Sequence, residues 1–395
     1  MNKRTWARIL TCSIILLVST FFFVSPGLSQ NNSQREVYLP FIQTPSLLPH
    51  ALLFIQDGQI LRVEADGNTI SQLTNGEAPI VDFDVSPTDD TLAYVAGQDE
   101  AAELISIDGI NGISGSRQVL TSRFVNRVRW SPDGQFIAFG RYDRATKAGG
   151  IYRINATDNT TQDVELNRPK QNPDDFDEPP GAIFQLIDWS PNSNKLLLFV
   201  NPDFGSGPAG DITGNYVAIH SFDNNTTNNI VNRAGAWSCL NSTWGLDNRH
   251  LFCSDISGAS EAALWQLDII TGQLTPLVLG RANPASKVYI SSATQLNDGN
   301  LYFFRGQSTS GFVDDATFTM QRATIDQLPD STRLNNESYL LDNRSIYKPT
   351  VLWAPDASGA VIVPPGLDER LVWVPANGAP ATVLPSPGKA PRWAP

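Results

Sequence analysis

The sequence predicts an all-β chain folded as a β-propeller of seven blades, with six as the alternative count. Three observations predict it. A short signature, clearest as VRWSPDGQFIAF at 128–139, returns through the chain. Successive copies lie between 40 residues apart (Trp353 to Trp393) and 59 (Trp130 to Trp189), a period typical of repeat architectures. Short apolar strands bounded by turn residues recur throughout, and no segment carries convincing helical periodicity.

The elements follow in order. Residues 1–29 read as a signal peptide, with Lys3, Arg4 and Arg8 as basic n-region, 9–24 as apolar run, and Gly27 and Ser29 as small residues before Gln30. The apolar run is short for a span of about 20 residues. Residues 30–50 read as an extended linker, and 51–395 as the propeller. Segment 51–74 holds the second, third and fourth strands of a blade that lacks its first. Copies follow at 83–95, 128–139, 187–199, 242–252, 294–304 and 351–363. In each, an inner strand ends at the Trp or its equivalent, and S/A-P-D/N-G makes a tight turn. Pro presets φ there, while Asp, Asn and Gly accept the unusual dihedrals. Third strands are expected at 151–154, 263–267 and 371–374, and fourth strands at 273–279 and 381–384. The last five residues, PRWAP (391–395), are one lone inner strand. They complete the blade begun at 51 and so close the ring, removing an open sheet edge.

The W-S-P-D-G-x-x-I-A-F pattern resembles the WD40-like propeller repeats of the TolB family. Trp130 and its turn match fully, Trp189 and Trp353 closely, Val85 and Gln295 in outline. The resemblance implies a scaffold that binds other molecules on its faces or at its channel mouth. TolB itself carries a further N-terminal α/β domain, for which 30–50 is too short.

Net charge is −12, and −15 once 1–29 are removed, because 25 Lys and Arg then face 40 Asp and Glu. Such a surface repels phosphate backbones and argues against nucleic acid as partner. Beyond Cys12 in the signal segment, the cysteines are Cys239 and Cys253, which flank the turn at 245–248. In an oxidising compartment they read as a disulfide between facing strands of a hairpin.

The Trp residues of the repeats read as blade-packing aromatics. The position before each is charged in four consecutive blades: Arg392, Asp84, Arg129, Asp188. Alternating signs on inner strands predict inter-blade ion pairs, or a polar channel mouth for a ligand. Long insertions at 140–150, 166–185, 201–214, 305–315 and 329–347 all fall on one face, opposite the S-P-D-G turns. Elaborated loops on a rigid scaffold are where binding sites concentrate. There Asp174, Asp175, Asp177 and Glu178 cluster with Asp203, Asp314 and Asp315 as the candidate binding residues. Calcium is the ion such carboxylates would coordinate, but neither EF-hand nor RTX spacing is present, so no cofactor is expected. No catalytic residue is assigned. There is no G-x-S-x-G elbow, and His50, His220 and His250 are too scattered for a triad or metal site. The expected function is an exported, non-enzymatic binding scaffold for a protein or cell-surface polymer, secreted or periplasmic. A carbohydrate-active or lactone-hydrolysing enzyme with a site at the channel mouth is the alternative.

Overall fold

The computed structural model describes residues 46–395, apart from 77, 109–116, 173, 176–178, 204–215, 231–240, 255–261, 281–286, 309–315, 329, 342–350 and 365–368. The predicted signal peptide, 1–29, lies outside the described residues.

Seven four-stranded antiparallel sheets follow one another along the chain, which fixes the count at seven blades. Blade 1 orders Lys389–Trp393, Leu52–Gln56, Gln59–Val63 and Ile70–Gln72 from inside to outside. The last segment therefore supplies the inner strand to the first. Leu52 pairs with Trp393 and Leu53 with Arg392, and the Ala394 N–H donates to the Ala51 carbonyl. The inner strands of blades 2 to 7 are Ile80–Val85, Val125–Trp130, Gly181–Trp189, Asn241–Trp244, Lys287–Gln295 and Val351–Trp353. Part of what reads in the sequence as loop is strand: 181–185, 201–203 and 305–308 lengthen blades 4 and 6. Asn201, Pro202 and Asp203 pair with Ile183, Ala182 and Gly181, where proline disguised the strand. The expected linker ends early. Leu48, 1% exposed, packs into a cluster with Leu52, Phe54 and Trp373.

The S-P-D-G turn shows why its residues recur. Ser131 Oγ accepts the Phe136 N–H and donates to Asp133 Oδ1, which accepts the Gln135 N–H. Gly134 takes φ +69°, and a Cβ there would strike Thr88 of the neighbouring turn at 2.2 Å. Turns also hold one another across blades. The Asp133 N–H donates to Ser193 Oγ, Asn192 N–H to Asn248 Oδ1, and Leu246 N–H to Gln295 Oε1.

The core is a series of apolar seams between blades. Phe83, Tyr94 and Ile105 of blade 2 pack with Leu53, Ile55 and Ile60 of blade 1, for example. The repeat tryptophans lie in these seams, and three stitch them. Trp189 Nε1 donates to the Arg129 carbonyl, Trp353 Nε1 to the Ser292 carbonyl, and Trp393 Nε1 to the Trp353 carbonyl. Each reaches the inner strand of the preceding blade. The indole N–H groups of Trp130 and Trp244 are buried with no partner among the described residues.

Candidate functional site

Inner strands face the channel, and their side chains alternate between channel and seam. In five blades the pairing of the inner strand with its neighbour is interrupted by a bulge. It falls between Ile80 and Asp82, Val125 and Arg127, Leu186 and Asp188, Ser291 and Thr294, and beside Ala390 in blade 1. Two of the extra residues, Ser292 and Ala390, adopt left-handed φ of 54° and 52°. A bulge re-aims the side chains that follow it. Here it sets Asp82, Arg127 and Asp188 beside the channel.

The four charged positions expected to stitch blades behave unequally. Arg392 Nε lies 3.3 Å from Asp84 Oδ1, joining blades 1 and 2. Asp84 Oδ2 accepts the Trp130 N–H at 2.8 Å, so one carboxylate ties three blades together. Arg129 Nη1 pairs at 2.8 Å with Asp82, not Asp84, and Asp82 also accepts the Val128 N–H. Asp188 is the correction. Its carboxylate accepts the N–H of its own neighbour Trp189 and forms no direct ion pair among the described residues. The expected ladder therefore spans blades 1 to 3. The physical reason is that Asp82, two residues before Asp84, reaches Arg129 first.

Burial and charge act together on this cluster. Burial pushes the Asp188 carboxyl up, and the attraction of Arg129 only partly offsets it. Solvent touches Asp188 within the channel, yet protein surrounds it on all sides, so its charge is poorly hydrated. For Arg129, 7% exposed, burial would weaken the guanidinium, but Asp82, Asp84 and Asp188 outweigh it and hold the proton more tightly. Arg392 goes the other way: burial first, then repulsion from Arg129, lower its pKa.

Above this cluster lies a cavity of about 530 Å³. Gly58 and Gln98, from turns between second and third strands, share its lining with the inner-strand residues Asp82, Arg127 and Arg392. It therefore opens on the face opposite the S-P-D-G turns, the one expected to carry the elaborated loops. Its size is in the range of small-ligand pockets.

The predicted acidic patch is only partly described. Asp174 and Asp175 are exposed, and their backbone N–H groups bond to Asn172. Asp177, Glu178, Asp314 and Asp315 lie outside the described residues. Asp203 is buried and engaged by the protein itself: Lys147 Nζ sits 2.6 Å from Oδ1, and the Lys170 N–H donates to Oδ2. It is a structural counter-ion that pins one loop to another. Among the described residues no three of His, Cys, Asp or Glu gather as a metal-binding group. Cys253 is fully buried on the second strand of blade 5, opposite Ser242. Cys239 lies outside the described residues, and the expected disulfide with it. His220 is buried in a third strand, and His250 bonds to Asp247 in a surface turn.

Asp82, Arg127 and Lys389 at the mouth had no place in the sequence reading. Alternation could have found two of them, since Asp82 and Arg127 precede Asp84 and Arg129 by two residues and share their face. Lys389 enters through the bulge at Ala390, which leaves no mark in the sequence.

No family model matches the chain, and no curated protein does either. Many solved structures are similar to it. An oligogalacturonate lyase in complex with manganese is 10% identical, with a TM-score of 0.55, over 85% of this chain and 84% of that one. A functionally unknown protein from Desulfotomaculum acetoxidans is 14% identical, with a TM-score of 0.54, over 86% and 98%. TolB from Acinetobacter baumannii is 16% identical, with a TM-score of 0.40, over 68% of this chain; the match spans 63% of TolB's own length. Identities this low establish the propeller fold and carry no site residue across.

Proposed function

We propose that this chain is an exported, non-enzymatic binding scaffold whose ligand, a protein or cell-surface polymer, is held at the loop-rich mouth of the channel. The observation that supports the reading is the 530 Å³ cavity, which joins the channel to the elaborated face among the inner-strand bulges. Asp82 and Asp84 at its base are each tied to an arginine and a backbone N–H. Carboxylates held this way hold blades together, which leaves Asp188 as the one carboxyl of the cluster outside an ion pair among the described residues, whereas glycoside hydrolysis needs two working together. Export rests on the basic n-region and apolar run of 1–29. The TolB-like repeat signature agrees with an extracytoplasmic binding role.

Affinity capture from the native organism's envelope and medium tests the proposal. The bait is residues 30–395, beside one variant with Arg127 and Lys389 changed to Gln and another with Asp174, Asp175, Asp177 and Glu178 changed to Ala. A protein or polymer retained by the parent and lost by either variant supports the scaffold and locates its face. Equal retention by all three would move binding elsewhere. Turnover of a sugar or lactone by the parent would replace the scaffold reading with the enzymatic one.

A further inference from the structure

The lining of the mouth runs against the charge of the chain. The protein carries −12, yet four cationic side chains line this one cavity: Arg127, Arg129, Lys389 and Arg392. A single carboxylate, Asp82, lines it with them. Adding Asp84 and Asp188 from the cluster beneath still leaves four positive groups against three negative ones.

Three of the cations, Arg129, Arg392 and Lys389, are not fully used by the fold among the described residues. Arg129 donates through Nη1 to Asp82 and to the Val128 carbonyl, and Arg392 through Nε to Asp84 and Nη1 to the Pro391 carbonyl. A guanidinium has five N–H donors in a planar fork. Nη2 of each therefore keeps both its donors without a protein acceptor among the described residues. Lys389 has no ion pair among them. Asn126, Gln98 and Gln185 add neutral amides to the same wall.

We infer that the channel mouth holds an anionic group of the proposed ligand through its oxyanions, carboxylate or phosphate, with Arg129 and Arg392 presenting paired donors and Arg127 and Lys389 supplying charge from the rim. This deepens the reading of the mouth as the ligand seat and rests on it. Poorly hydrated, converging cations are the setting in which bidentate oxyanion contacts are strongest. The weakened basicity of Arg392 agrees, because an anion placed between it and Arg129 relieves their repulsion.

Titration calorimetry of residues 30–395 tests it with four probes: citrate, digalacturonate, inorganic phosphate and neutral maltose. At least one anion should bind, maltose should not, and affinity should fall as salt rises. The Arg127→Gln, Lys389→Gln double variant should bind at least tenfold more weakly while melting like the parent. Lys389→Arg should retain binding, since it keeps the charge. These two rim residues are preferred to Arg129 and Arg392, whose removal would also loosen the blades. Binding of phosphate alone would identify a phosphate ligand, and binding of citrate or digalacturonate a carboxylate one. Failure of all three anions, equal binding of maltose, or unchanged affinity in the double variant would overturn the inference. If the envelope capture still succeeds in that event, the scaffold stands and only the ligand chemistry falls.

Discussion

His220 shows what one misplaced nitrogen does to a propeller blade. Its Nδ1 lies 2.9 Å from Thr227 Oγ1, while Nε2 is buried with no partner among the described residues in either tautomer. Burial, reinforced by the nearby Arg153, lowers its pKa to about 4. The unfolded chain binds that proton near pH 6.5 and the folded one resists it, so stability is complete above pH 6.5 and falls towards pH 4. The shift of 6.5 to about 4 amounts to up to about 3 kcal/mol. His220→Leu should flatten the melting temperature between pH 6.5 and 4, relative to the parent. Identical acid sensitivity in both would show that other groups govern the decline. This histidine was legible only as a third-strand residue. Phe222, two residues on, packs edge-to-face against it, but Arg153, which also disfavours its proton, comes from the preceding blade and has no sequence relation to it.

At the scale of the element, each inner strand is a seam-maker, and its tryptophan has two tasks. The aromatic role was plain from the repeat register. The hydrogen bond was not, because its acceptor is a backbone carbonyl of the preceding blade and any residue can supply one. Trp353 and Trp130 form a natural comparison, at 6% and 7% exposure, since one indole N–H is bonded and the other is not. Changing either to Phe removes similar apolar area. Trp353→Phe also removes the shorter of two hydrogen bonds to the Ser292 carbonyl, leaving Thr294 Oγ1 at 3.4 Å, whereas Trp130→Phe removes an unsatisfied donor. The first should cost about 1 kcal/mol more in a denaturant unfolding midpoint. Equal costs would mean the indole bonds add nothing to the seams. The bulges tell the same story for the mouth. Arg392, Asp84, Arg129 and Asp188 stand at one repeat position and were visible as a row, but the exchange of Asp84 for Asp82 as partner of Arg129 depends on a local kink that composition does not encode.

For the whole molecule, the seven blades and their closure were the most legible features, because three strands at one end of the propeller and a lone strand at the other complete a single blade. Closure also makes the strongest stability prediction. Deleting residues 391–395 removes most of the strand that pairs with Leu52–Gln56, the Trp393 stitch to Trp353 and the Arg392 tie to Asp84. It bares a sheet edge in blade 1. The truncated chain should melt well below the parent, and a coincident melting curve would refute the ring as the source of stability. The binding face was less legible, since strands at 181–185, 201–203 and 305–308 read as loops and the basic mouth hides within an acidic chain.

Closure also fixes a schedule. Leu52 meets Trp393 only after 341 further residues have been made. At about 5–20 residues per second, the first blade waits roughly 17–70 s for its inner strand. Throughout that interval Leu52–Gln56 is an unpaired apolar edge, and a nascent chain in this state is both a substrate for holding chaperones and still unlocked enough to be threaded.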